Sequence, residues 1–156
     1  LLIDKLEEST LPASFTDPIM AEAKFYRALF YYYLWMGYEE IPLIKNYIKA
    51  SEMYNIQKGT RDEVYEFMLS DLADDVTKFL PGRKSTQQGK VCQEVAKLLR
   101  AKIILFHRSD KDYQMAYQDM TGIISSNAFQ LHPDYTKIWL KEGEWCNESM
   151  FEKTKK

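Results

Sequence analysis

The sequence predicts an all-α fold of about four main helices in antiparallel pairs, followed by an irregular C-terminal segment. Three observations carry this. Apolar residues recur at three- and four-residue steps through most of residues 17–127, the spacing of a buried helical face. The six glycines and five prolines fall almost entirely between those runs, where they punctuate helices. Finally, between Phe25 and Met36 only Arg27 is charged, so the stretch Ala21–Leu43 reads as a central helix, apolar nearly all round. Glu22, Lys24 and Arg27 cut its apolar run below the roughly 20 residues that span a bilayer.

Residues 1–8 read as the last turns of a helix and residues 9–16 as a loop. Asp17 followed by Pro18 is a helix start: the carboxylate accepts orphan N–H groups, and Pro lacks one. The helix is expected to run to Met36 and stop at Gly37, with residues 39–51 as an extended excursion pinned by Pro42. Thr60-Arg61-Asp62-Glu63 fits a capping box. Tyr65, Leu69, Leu72, Val76 and Phe79 continue from it as one stripe to Leu80-Pro81-Gly82, and residues 83–88 read as a flexible loop. A third helix is expected from Gly89 to His107, with Ala96 and Ala101 permitting close helix approach. A fourth carries Tyr113, Ala116, Tyr117, Met120, Ile123 and Ile124 on one face and ends at Asn127. These two form a hairpin across a short turn. After Asn127 the period is lost; residues 135–140 suggest a helical turn, and Glu148–Phe151 the start of a strand. Residues 1–156 thus read as one helical domain: a preceding helix end and loop (1–16), a helical core (17–127) and an irregular segment (128–156), the whole a segment of a longer protein. The two helix pairs resemble a right-handed, tetratricopeptide-like solenoid, although the expected Trp and Gly are missing from their positions.

Composition excludes several classes. Hydrophobic residues at 46% and charged residues at 28% are ordinary for a globular chain, and 156 residues suffice to bury about two-thirds of the unfolded surface. A formal net charge of −2 with scattered Lys and Arg gives no footprint for nucleic acid. Cys92 and Cys146 define neither a disulfide framework nor a metal spacing, and His107 and His132 lack Cys, Asp or Glu at ligand spacing. Cys92 reads as a small buried hydrophobe. Asp74 and Asp75 point about 100° apart on a helix, a solvated face rather than a shared-proton pair. No phosphate loop, nucleophile elbow or zinc motif occurs, so neither catalysis nor a cofactor is expected.

Arg27, set among aromatics, needs a partner if buried, because an unpaired interior charge is costly. Asp71 on the next helix is the candidate, with Glu22 nearby; the alternative is Arg27 reaching solvent over Tyr31. The aromatic share is 14%. Phe25, Tyr32, Tyr33, Phe67, Phe79 and Phe106, inside helices, are expected in the core. Tyr38, Tyr47, Tyr54, Trp139 and Trp145, in irregular segments, are placed where a face could stack on a sugar, although packing over the helices is the commoner fate. Tyr38, Tyr54, Trp139 and Trp145 are the candidate ligand contacts, and Glu22, Arg27 and Asp71 the candidate structural set.

Taken together, the motifs resemble the SusD/RagB family of nutrient-binding outer-membrane lipoproteins of Bacteroidetes. Glu22-Ala23-Lys24-Phe25-Tyr26-Arg27-Ala28 resembles the family's E-A-[KR]-F-L-R-A helix, and Tyr38–Ile44 its Y-G-D-[VI]-P-L-[IV] loop. Arg61-Asp62-Glu63-Val64-Tyr65 with Asp71-Leu72 and Leu80-Pro81 resembles the next helix. Gly89-Lys90-Val91, leading into Ala96-Lys97 and Ala101-Lys102, is similar to the family's G-R-V segment. Ile123–Leu131 and Asn147-Glu148-Ser149-Met150-Phe151 are similar to its later turn and strand entry. The sequence departs from the pattern at Glu39, where the loop has glycine, and at Gln93-Glu94, where small residues are expected.

The resemblance implies a surface lipoprotein, anchored in the outer membrane by an N-terminal lipid, that captures a glycan or other nutrient. It also implies a TonB-dependent SusC-like transporter as partner, with this segment as the helical scaffold. No ligand-binding residue of the family maps onto a matching position here. The first alternative is an intracellular tetratricopeptide-type adaptor for protein interactions. A helical glycoside hydrolase would need two facing carboxylates about 5–9.5 Å apart, and the sequence nominates no such pair.

Overall fold

The computed structural model describes residues 1–83 and 89–152. Among these residues it is built from α-helices and short 3-10 turns with no strand; the single isolated β-bridge joins Pro42 and Lys58. In order the helices are α1 (Leu2–Glu7), α2 (Ala13–Tyr38), α3 (Arg61–Asp71), α4 (Asp74–Thr77), α5 (Gln93–His107) and α6 (Tyr113–Ser125). The fold is the all-α, tetratricopeptide-like arrangement expected from the sequence. The chain divides into two compact units, Leu1–Leu80 and Pro81–Lys156. The loop expected at 83–88 lies, apart from Arg83, outside the described residues.

In the first unit α2 packs against α1, α3 and α4. Phe25, Trp35, Val64, Tyr65, Met68 and Leu72 form its core, with Trp35 and Tyr65 rings 6.4 Å apart. Burying each large side chain contributes about 1.5–3 kcal/mol. The helix begins at Ala13, not at Asp17. The fixed φ of Pro12 sets up the first turn, and its carbonyl accepts from the Phe15 and Thr16 N–H groups. Pro18 therefore lies inside the helix, where its missing N–H removes one bond near the open end. The other end passes Gly37 and stops at Glu39, whose φ of 57° is left-handed.

Nor is α2 covered on all sides. It buries Ala21, Phe25, Ala28 and Trp35, while Phe30, Tyr33 and Leu34 are exposed. An apolar circumference says that a helix can be covered, not that the surrounding chain covers it. Phe79 and Phe106 are exposed as well; of the helical aromatics expected in the core, Phe25 alone is fully buried.

The expected capping box is present: Thr60 Oγ1 accepts from the Glu63 N–H at 3.2 Å, and the Thr60 N–H donates to the Glu63 carboxylate at 2.7 Å. The helix it opens is shorter than the stripe predicts. Ala73 turns extended (ψ 154°) and α4 restarts from its carbonyl, which accepts from Val76 and Thr77. That break rotates the stripe, burying Thr77 and Leu80 and leaving Phe79 outside. The excursion before it carries a 3-10 turn at Ala50–Asn55.

In the second unit α5 and α6 form the hairpin, with Val95, Ala96, Leu99, Ile103, Ile104 and Ala116 in its core. Arg108 takes a left-handed conformation (φ 62°) and caps α5. The helix starts at Gln93, four residues after Gly89, because Gly89 (φ 82°) and extended Cys92 carry Val91 and Cys92 into the core before the first turn. Ala116 and Asp119 are the buried side of α6, whereas Tyr113, Tyr117 and Ile124 are exposed. Glu148–Phe151 forms no strand; 3-10 turns at Tyr135–Trp139 and Lys141–Gly143 precede it.

Candidate functional site

Arg27 on α2 ties together three parts of the first unit. Its Nε and Nη2 each donate to the Asp71 carboxylate at 2.7 Å, a bidentate pair, and its Nη1 donates to the Lys45 carbonyl at 2.9 Å. The guanidinium carbon lies 4.8 Å from the centre of the Phe67 ring. Asp71 is 3% exposed and Arg27 19%. Burial works against the charge on Arg27, but the hydrogen bonds and attraction of Asp71 outweigh it and raise the pKa. The charge of Glu7 adds to the same upward shift.

Beside this pair lies an open cleft of about 610 Å³. Leu2, Ile3 and Asp4 of α1, Tyr26 and Phe30 of α2, and residues 44–48 wall it. Tyr26 and Phe30 are stacked with centroids 6.4 Å apart. Tyr31, one turn beyond Arg27, accepts the Ile44 N–H at 2.8 Å.

The four candidate ligand contacts fall two in each unit, Tyr38 and Tyr54 in the first and Trp139 and Trp145 in the second. Tyr38 ends α2 and is 73% exposed; Tyr54 lies in the 3-10 turn and is 95% exposed. No ring contact joins them. Trp139 (73% exposed) packs edge to face on exposed Tyr135, centroids 6.0 Å apart, on a turn capped by Asp134. Asp134 accepts from the Thr136 N–H and hydroxyl, which hold its carboxyl below the usual range. His132 Nδ1 accepts from the Asp134 N–H, and the His132 N–H donates to Glu148 at 2.7 Å. Gly143 lies so close to the Lys137 carbonyl that a side chain has no room there. Trp145 is half-buried with its ring over Gly89.

Cys92 is enclosed, and burial pushes its thiol up to about 11, leaving it unreactive at neutral pH. Among the described residues no group of three His, Cys, Asp or Glu is placed to hold a metal, and no helix is long and apolar enough to cross a membrane.

Sequence reasoning missed a second ion pair. Arg100 on α5 donates through Nε and Nη2 to Asp119 on α6, both at 2.7 Å, with each side chain 5% exposed. The signal was an internal repeat. Ala23-Lys24-Phe25-Tyr26-Arg27-Ala28 and Ala96-Lys97-Leu98-Leu99-Arg100-Ala101 share the pattern A-K-x-x-R-A. The acceptors match too: Tyr65 leads to Asp71-Leu72 as Tyr113 leads to Asp119-Met120. Each unit is therefore organised by an Arg on its first long helix bound to an Asp on the next.

Comparison with known proteins gives consistent results. A comparison with curated protein sequences finds no match. Among solved structures, the chain is similar to surface glycan-binding protein A from Bacteroides thetaiotaomicron in complex with laminarihexaose, at 29% identity and TM-score 0.82 over 96% of this chain and 31% of that one. It is similar to surface glycan-binding protein A from Bacteroides uniformis at 25% identity and TM-score 0.83, over 96% and 34%. A SusD-like protein from Bacteroides fragilis shares the fold at 22% identity and TM-score 0.80, over 99% and 31%. The chain thus spans about a third of the length of these proteins. A family model described as starch-binding and associating with the outer membrane matches residues 1–105, two-thirds of the chain. With the fold and the ordered motifs, that match establishes that the chain belongs to the SusD-like family.

Proposed function

We propose that this chain is the helical scaffold of a surface lipoprotein that captures a glycan or other nutrient for a SusCD-type outer-membrane uptake system. Family membership over residues 1–105 is the observation that carries this reading. In it, the protein binds its glycan without cleaving it, an N-terminal lipid holds it at the cell surface, and a TonB-dependent SusC-like transporter is its partner. The exposed faces of Tyr38, Tyr54 and Trp139 are open to stacking on sugar C–H groups. Trp145, half-buried over Gly89, has less face to offer.

Because a relative with 29% identity was solved with laminarihexaose, laminari-oligosaccharides are the first ligands to test. The experiment is affinity electrophoresis of the full-length protein through gels containing laminarin, starch or other polysaccharides, followed by purification from detergent-solubilised outer membranes and identification of any TonB-dependent transporter that co-purifies. Retardation by one polysaccharide and recovery of the transporter support the reading. No retardation by any glycan, or purification without a transporter from detergent-solubilised outer membranes, counts against it.

A further inference from the structure

We infer that residues 41–48 form a strap along one wall of the 610 Å³ cleft, latched by the side chains of Tyr31 and Arg27 and able to open while α2 and α3 stay folded. The pattern of bonds leads to this. One end is a fixed hinge: Ile41 is buried, its carbonyl accepts the Gly59 N–H at 2.9 Å, and the Leu43 side chain fills the space a Cβ on Gly59 would need.

Beyond the hinge, the strap is held through side chains. The Tyr31 oxygen accepts the Ile44 N–H at 2.8 Å, and its hydroxyl is within donating distance of the carbonyl oxygens of Pro42 and Ile44, at 3.3 and 3.4 Å. Arg27 Nη1 donates to the Lys45 carbonyl, and the Asp4 carboxylate of α1 accepts the Tyr47 N–H at 3.3 Å from either oxygen. No regular ladder fastens Ile44, Lys45, Asn46 or Tyr47, and all four are exposed. Releasing them breaks a few side-chain hydrogen bonds, each of modest net strength in water, and disturbs no helical backbone bond.

Asp71 acts here as a positioning residue. By binding Nε and Nη2 it fixes the guanidinium plane, so that Nη1 points at the strap. Unlatching frees the Arg27 Nη1 donor and moves residues 44–48 away from the cleft wall that Tyr26 and the already exposed Phe30 form. The strap is thus a conformational element independent of which glycan the intact protein binds.

The test is hydrogen exchange with mass spectrometry on the full-length protein, comparing wild type with Tyr31→Phe and Arg27→Lys. Tyr31→Phe removes only the hydroxyl and keeps the ring that packs on Phe67. We expect peptides covering 41–48 to exchange at least tenfold faster in both variants, with α2 and α3 peptides unchanged in Tyr31→Phe. Three results overturn the inference: strap exchange at the free-chain rate in wild type, unchanged strap exchange in Tyr31→Phe, or acceleration of α2 and α3 equal to that of the strap. Should Arg27→Lys fail to fold, Tyr31→Phe decides alone.

Discussion

Breaking the Arg27–Asp71 pair from its two sides should give unequal losses. Arg27→Met leaves the Asp71 carboxylate, 3% exposed, without its two 2.7 Å donors. Removing one partner of a buried pair costs about 3–5 kcal/mol. Asp71→Ala leaves Arg27, which is 19% exposed, keeps the Lys45 carbonyl and the Phe67 face, and can turn its long side chain toward water. Its loss should be nearer the value of a charged hydrogen bond, about 1.5–3 kcal/mol. The double variant Arg27→Met/Asp71→Leu removes both charges and should recover most of the loss from Arg27→Met. Urea unfolding followed by helical circular dichroism in the full-length protein measures all three. Equal losses in the two single variants, or a double variant whose loss is their sum, would refute the argument from burial.

Further outcomes follow from other parts of the structure. Arg100→Met and Asp119→Ala should each cost about 3–5 kcal/mol with no asymmetry, since both side chains are 5% exposed; the same urea titration checks it. Hydrogen bonds from Thr60 lower the Glu63 pKa below its ordinary value. The contribution of Glu63 to stability is therefore full above the ordinary value and is lost as the pH falls through the folded one, so the advantage of wild type over Glu63→Ala should vanish in acid unfolding curves. Native Cys92, with its thiol at about 11, should resist iodoacetamide at pH 8 and react only after unfolding, as peptide mass mapping would show. Gly143→Ala places a Cβ against the Lys137 backbone; loss of the near-ultraviolet circular dichroism of the Tyr135–Trp139 pair would report the displaced turn.

What the sequence revealed about the fold depended on how local each signal was. The Thr60–Glu63 box was legible because all its partners lie within four residues. Helix starts fixed from further away were not: α2 begins at Ala13, capped by Pro12, rather than at the Asp17-Pro18 signal, and α5 waits until Val91 and Cys92 have entered the core. Periodicity found apolar faces on α2 and α6 but carried no information on what covers them, so Tyr33, Tyr113 and Ile124 lie exposed. Arg27 drew notice as the only charge in an apolar run. Arg100 does not stand out in this way, because the charged residues Glu94, Lys97 and Lys102 lie around it in sequence. Only superposing the two A-K-x-x-R-A runs separates it from them. The aromatic candidates were chosen for lying in irregular segments, a criterion that cannot distinguish exposed Trp139 from half-buried Trp145.

The recurrence of the Arg–Asp pair also bears on why charge is kept in the core of either unit. An apolar pair of similar volume would serve stability as well or better, because desolvating two ions offsets most of their attraction. What an apolar pair lacks is direction. Leu, Ile and Ala along α5 would pack against α6 in more than one register, whereas two bonds of 2.7 Å between a planar fork and a carboxylate are met in one. In the first unit the same fork also orients Nη1 toward Lys45, so register between α2 and α3 and placement of residues 41–48 are set by one guanidinium. On this argument the double apolar variant recovers its free energy of unfolding but not its uniqueness. Sharp amide resonances from α2 and α3 in that variant would show that packing alone fixes the register.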